Sequence, residues 1–403
     1  MLSALVHPPT LCSPSGSPPN PLSKNIVTRA SMATASARSS ARIAIVGDVH
    51  DQWNLEEDTK ALELLQLSFL RCISSCLAKL EFELKFEPDL VLFTGRFHSP
   101  LLFIYLMFFS LSIFSSFTFL CFPIGDFGEE NVELVQSVAE LGFAKAVILG
   151  NHDAWHTKQF SGKKKDGVQL QLECLGEEHV GYRRLDFPVV KLSVVGGRPF
   201  SCGGKQLFRS KLLSARYGVQ DMDGSAKRIC KAALGAPEDH LVILLAHNGP
   251  TGLGSNLDDI CGKDWVYGGG DHGDPDLAQA LSLLKETGKI CGPLVVFGHM
   301  HKKLADGNGL RKMIVVGADN TIYLNGAIVP RVKRLNDEQG TSNKSFVNKE
   351  PQLSTPESCG TIRAFTIVEI VDRAVDKIVE SWVSVVGDRI TLEEEHMLFN
   401  NAR

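Results

Sequence analysis

The chain has 403 residues, 44% of them hydrophobic and 22% charged, with a formal net charge of −4. That balance is ordinary for a soluble globular enzyme, and without a basic block it gives a nucleic acid nothing to grip. Its ten cysteines form no C-x-x-C pair and no zinc-type spacing, so they read as small apolar residues in a reduced compartment.

In chain order, the first segment stands apart. From Met1 to Ile45 there is no Asp or Glu; Ser, Pro, Ala and Thr dominate, and Lys24, Arg29, Arg38 and Arg42 carry the charge. Residues 1–41 therefore read as a disordered, transit-peptide-like segment, lacking the compact apolar stretch of a secretory signal. The expected address is a plastid (chloroplast), ahead of a mitochondrion, and Met32 offers a second start.

A main domain is expected over 42–335. ARIAIVGDVHD reads as a buried strand, Ile43 to Val46, turning at Gly47; a helical stretch follows from Leu55 to Gln66. PDLVLFTG, Pro88 to Gly95, reads as a second strand. Asn131 to Leu141 has helical spacing, and AKAVILGNHD reads as a third strand entering a polar loop. VVKLSVVGG, LVILLAHNGP and GPLVVFGHMH end the same way. Strands alternating with helices predict an α/β fold with largely parallel pairing, and such folds collect ligands beyond the carboxyl ends of their strands. MIVVGA and TIYLNGAIV form two further strands about an Asp319–Asn320 turn. A polar loop is expected over 336–360, and a closing β-hairpin over 361–387 from RAFTIVEIVD and KIVESWVSVV.

One run interrupts this order. Leu101 to Phe122 is uncharged and long enough to span a bilayer, yet it separates Thr94-Gly95 from Asp126, where a chelating carboxylate belongs. Removing Arg96 to Gly125 restores VLFTGDFGEEN, a strand running into Gly-Asp. Codons for the two ends can be written as a splice donor and an acceptor in one phase, so 96–125 reads as a translated retained intron, looped out if it is present. Residues 67–87 are a possible second insert.

The chemistry sits at the strand ends. Asp48 and His50 make D-x-H after the first strand, and Asp126 offers a carboxylate able to bridge two ions. Asn151 and His152 follow the third strand, His247 follows LVILLA, and His299 and His301 follow PLVVF. Singly, each histidine reads as a polar loop residue. Five of the twelve at the ends of apolar strands, with two Asp and one Asn, point to a metal site. Carboxylate mixed with imidazole suits Mn, Fe or Zn better than Mg or Ca. Arg198 and Lys205 read as solvated loop charges, Asp264 to Asp276 as a stretch that could shape the site mouth, and His272 within it is set aside as a ligand.

GDVHD, GD, GNHD, AHNGP and GHMH, in that order, resemble the calcineurin-like metallophosphoesterase superfamily, most closely its plastid and cyanobacterial-type members. The resemblance covers roughly Arg42 to Val332 apart from the inserts, and it implies a double β-sheet sandwich flanked by helices. It places Asp48, His50, Asp126 and His301 on one metal ion and Asp126, Asn151, His247 and His299 on the other. His152 would be the imidazole near the scissile phosphate, and Asp153 an orienting partner of a ligand or of His152. Two divalent or trivalent transition-metal ions (Mn, Fe or Zn) would serve the hydrolysis of a phosphomonoester or phosphodiester. The substrate would be a phosphorylated small molecule or a phosphoprotein. GDFGE departs from relatives that carry a second Asp or an Asn-rich continuation there. Two other classes stand beside this one. A binding module that lost the chemistry is opposed by the unsubstituted ligand positions, and a membrane-anchored variant rests on residues 101–122 alone. The sequence carries no reading of oligomeric state.

Overall fold

Ile43 and Ile45 point to one side of the first strand and Ala44 and Val46 to the other, and all four are buried. A strand apolar on both sides must be covered on both, which a two-sheet sandwich with outer helices provides. The computed structural model describes residues 39–67, 117–288, 294–335 and 360–401. In it, β1 (Ser40–Gly47) pairs in parallel with β2 (Phe117–Ile124), which in turn pairs with the two-residue β3 (Ala144–Lys145). β10 (Val332–Arg334), β11 (Thr361–Val371), β12 (Ala374–Val386) and β13 (Arg389–Asn400) complete this sheet by antiparallel pairing, β11 lying beside β1. The second sheet runs β4 (Arg184–Phe187), β5 (Leu192–Gly196), β6 (Leu241–Leu245), β7 (Leu294–Phe297), β9 (Ile322–Asn325), β8 (Ile314–Val316).

Side-chain alternation decides which residues meet. Ile43, Ile45, Leu120 and Phe122 of the first sheet share one core with Val194, Ile243, Leu245 and Val296 of the second. The opposite faces, Ala44 and Val46 in one sheet and Leu244 and Val295 in the other, join a second core with helix residues such as Leu62, Val135, Leu172 and Ile229. The result is an α/β double sheet sandwich flanked by helices. The parallel strands β1, β2, β6 and β7 all release their chains at one end of it. That end carries the site.

Several sequence expectations meet the structure differently. Pro88 to Gly95, residues 68–87, the first part of the apolar run and the polar loop from 336 to 359 lie outside the described residues, as does the transit-like segment up to residue 38. The strand that delivers Asp126 is built from the end of the apolar run, so looping out of 96–125 as a whole is corrected for 117–125. The physical reason is pattern. Leu120, Phe122 and Ile124 alternate with Phe119 and Cys121, so FTFLCFPI fills both cores while pairing eight residues with β1. β1 also starts at Ser40, before the expected boundary at 42, because Ser40 and Ala41 pair with Val371 and Ile370. β11 and β12 form an antiparallel pair over the expected hairpin residues, and β13 extends it into a three-strand meander. Among the described residues, no helix is long and apolar enough to cross a membrane.

Candidate metal centre

Three of the motifs, GDVHD, GD and GHMH, leave their strands in a backbone conformation that ordinary residues avoid. Asp48, His50, Asp126 and His299 all have positive φ, between 43° and 67°. Such left-handed geometry at non-glycine residues is costly and concentrates where a function requires it. The surrounding backbone holds it: His50 N–H donates to Asp126 C=O at 2.8 Å, and Gly298 N–H to His247 C=O at 2.8 Å. Two glycines are needed for space. A Cβ on Gly150 would lie 2.3 Å from Asp126 Oδ1, and one on Gly298 would lie 2.4 Å from Asp48 Oδ1. This explains why GNHD and GHMH open on glycine.

The side chains then converge in two groups. Ligand atoms of Asp48, His50 and His301 lie within 4.8 Å of one another, as do those of Asp126, His247 and His299. Asn151 joins the second group, its Oδ1 lying 3.0 Å from His247 Nε2, which also stands 3.4 Å from Asp126 Oδ2. His152 lies beside the first group, its ring 5.3 Å from that of His50, and its backbone N–H donates to Asp126 Oδ1 at 2.8 Å. Asp153 is buried, and its carboxylate accepts the backbone N–H groups of Asp126, Phe127 and Gly150 at 2.7–3.0 Å. It therefore fixes the two loops by their backbones, where the sequence suggested a side-chain partner.

The donor set fits metal ions on the evidence of its own unsatisfied atoms. Among the described residues, Asp48 Oδ2 and His247 Nδ1 are buried without a hydrogen-bond partner, and His50 Nε2 faces His301 Nε2 at 2.9 Å. Burial pushes Asp48 up to about 7, opposed by His247 and reinforced by Asp126. Burial likewise pushes His301 down to about 4, helped by His50, and holds His299 well below the ordinary imidazole value. Against its burial, Asp126 pushes His247 the other way, up to about 9. A bound cation would take the place of such protons, keeping the carboxylates ionised and the imidazoles neutral.

A cavity of about 360 Å³ opens over the two groups, reaching Asp126, His152, His299 and His301. A groove of about 480 Å³ against Trp382 is larger but holds no residue of either group. Some supporting residues were not legible in the sequence. Arg311 donates to the carbonyls of His301, Asp259 and Gly262, and Asn325 donates to Met300, so together they clamp the GHMH loop. Arg198 is no solvated charge: it is buried and paired with Asp274 at 2.8 Å and Asp276 at 3.0 Å.

The strand-end ligand pattern and the two-sheet fold agree with the family comparison. The chain belongs to the calcineurin-like phosphoesterase family, whose pattern matches residues 41–303. No curated protein matches it. Among solved structures it is similar to "GAP50 the anchor in the inner membrane complex of Plasmodium", at 11% identity and a TM-score of 0.32, covering 91% of this chain and 90% of that one.

Proposed function

We propose that the chain hydrolyses phosphate esters at this centre with two transition-metal ions, Mn, Fe or Zn. Asp48, His50, Asp126 and His301 would hold one ion, and Asp126, Asn151, His247 and His299 the other, so that Asp126 bridges. The observation that carries the reading is two neighbouring ligand groups, each of one buried carboxylate and two imidazoles, with unsatisfied polar atoms in both. Such a pair of ions supplies a nucleophile near neutral pH and positive charge against the phosphoryl oxygens.

The chain's own residues do the rest. Asp153 accepts the backbone N–H groups of Asp126 and Gly150, which would keep the Asp126 carboxylate and Asn151 in register. His152 is anchored through its backbone to Asp126 and lines the cavity, so its imidazole can donate a proton to the departing alcohol oxygen. The buried setting keeps water from screening these charges. A phosphorylated small molecule or a phosphoprotein is the substrate class we propose, and the acid-free stretch up to Ile45 supports delivery to a plastid.

The test is His152→Ala, assayed for turnover of simple phosphate esters and for metal content together. Turnover that collapses while both metals stay bound supports an enzyme. A wild-type chain that binds metal but turns over no phosphate ester sinks the reading in favour of a binding module.

A further inference from the structure

Two rows of ring contacts lead outward from the metal centre, and each ends in a tryptophan that solvent reaches. On one side, Trp155 lies parallel to His152, with centroids 4.8 Å apart and planes 7° apart. On the other, His272 lies over the candidate ligand His299 at 5.7 Å and 26°, and Trp265 meets His272 edge-on at 4.8 Å. Trp265 is 54% exposed and Trp155 43% exposed, so neither is spent on the core. Trp265, His272 and Lys303 line the same cavity as Asp126, His299 and His301.

The backbone that carries the two rings is tied down by hydrogen bonds. His272 N–H donates to Cys261 C=O, while its own C=O accepts from Gly204 N–H and from Asn248 Nδ2. The Trp265 loop is closed by Lys263 N–H to Gly270 C=O at 2.8 Å and pinned by Gly270 N–H to Ser255 C=O at 2.7 Å. An aromatic ring held on an ordered loop beside a charged centre gains affinity because less is ordered on binding. The cavity volume also fits a compact organic molecule. A phosphoryl group on the two ligand groups would direct its ester substituent along this wall, with Lys303 offering positive charge at the rim.

We propose that the site selects phosphate esters whose alcohol carries a flat aromatic ring, aryl or nucleobase, with Trp265 as the stacking face and His272 as the ring that braces it edge-on. The proposal rests on the phosphoesterase reading above and adds the substrate class. Its test uses the metal-loaded full chain and its Trp265→Ala and Trp265→Phe variants. Phenyl phosphate and glycerol phosphate are compared by kcat/KM, and phenylphosphonate and methylphosphonate, which cannot be hydrolysed, by calorimetric binding. Trp265→Ala is expected to lower the phenyl-to-glycerol ratio about tenfold, mainly through KM, the size of one aromatic contact. Trp265→Phe should restore most of it, and the phenylphosphonate advantage should vanish with the ring. An unchanged ratio in Trp265→Ala, or equal binding of the two phosphonates by the wild-type chain, overturns the proposal while leaving phosphoesterase activity intact. If neither ester is hydrolysed, the phosphoesterase reading fails, and the phosphonate pair alone decides whether the wall binds aromatic rings.

Discussion

Asp58 and Asp126 are both almost fully buried carboxylates, one on the helix over residues 55–67 and the other at the end of β2. Asp58 receives Arg331 at 2.6 Å and Arg363 at 2.7 Å, and Glu57 also pairs with Arg363. That cluster brings its own cations, ties the helix to β11 and leaves Asp58 with both oxygens occupied. Asp126 faces imidazoles and lies near a second carboxylate, Asp48, one of whose oxygens has no hydrogen-bond partner among the described residues. Both clusters bury charge. The difference lies in completion: a closed cluster holds the fold, and an open one asks for something from outside.

The comparison can be broken by substitution. Asp126→Ala is expected to cut turnover by far more than the roughly 10–100-fold that losing an outer partner of a metal ligand costs. Metal analysis should find the ions lost, and circular dichroism the fold retained. His152→Ala should lower kcat by about 10²–10⁴-fold, the usual worth of a positioned acid or base, without loss of metal. Asp58→Ala should do the reverse of Asp126→Ala. Leaving buried Arg331 without its carboxylate, and Arg363 with Glu57 alone, is expected to cost about 3–5 kcal/mol in urea unfolding, with activity per folded molecule unchanged. An Asp58 variant that lost activity and kept its stability would erase the distinction between the two clusters.

A smaller effect is expected from removing Arg96 to Gly125. The joined sequence LVLFTGD repeats the alternation and the Gly-Asp ending of FLCFPIGD, so the shortened chain should keep its metal content and its turnover. Loss of both would mean that only residues 117–125 can fill β2. The smallest effect concerns His179, remote from the candidate ligands. Burial, followed by Arg216 and Arg183, pushes its imidazole down to about 3 from 6.5, and Nε2 has no hydrogen-bond partner among the described residues. Because the folded value is depressed, the stability it contributes is complete above about pH 6.5 and drains away as pH falls toward about 3. His179→Gln should flatten that acid limb, read from urea midpoints at pH 7 and pH 5, and an equally acid-sensitive variant would refute the assignment.

Much of the site was legible because strand, turn and ligand follow one another within a few residues. GDVHD and GHMH announce both the end of a strand and the donors placed there. β2 was ambiguous for the opposite reason: two segments of the same chain satisfy one pattern of alternating apolar residues before Gly-Asp, and local pattern cannot rank them. β13 was missed because TLEEEHML is polar, as an edge strand that discourages pairing with other chains has to be. Arg198 was misread because Asp274 and Asp276, which neutralise it, lie more than seventy positions further along. Likewise His272 has no ligand spacing, and only the fold brings it over His299.

The central claim is that the open cluster around Asp126 is filled by two metal ions. The most direct measurement is calorimetric titration of manganese into the chelator-stripped full-length chain, with Asp126→Ala alongside and melting temperature followed at each point. The account predicts two equivalents bound by the wild-type chain and a melting temperature that rises with metal, as ligand binding to the folded state requires. The variant should show neither. Wild-type protein that takes up no metal, or a variant that takes up as much, would contradict it.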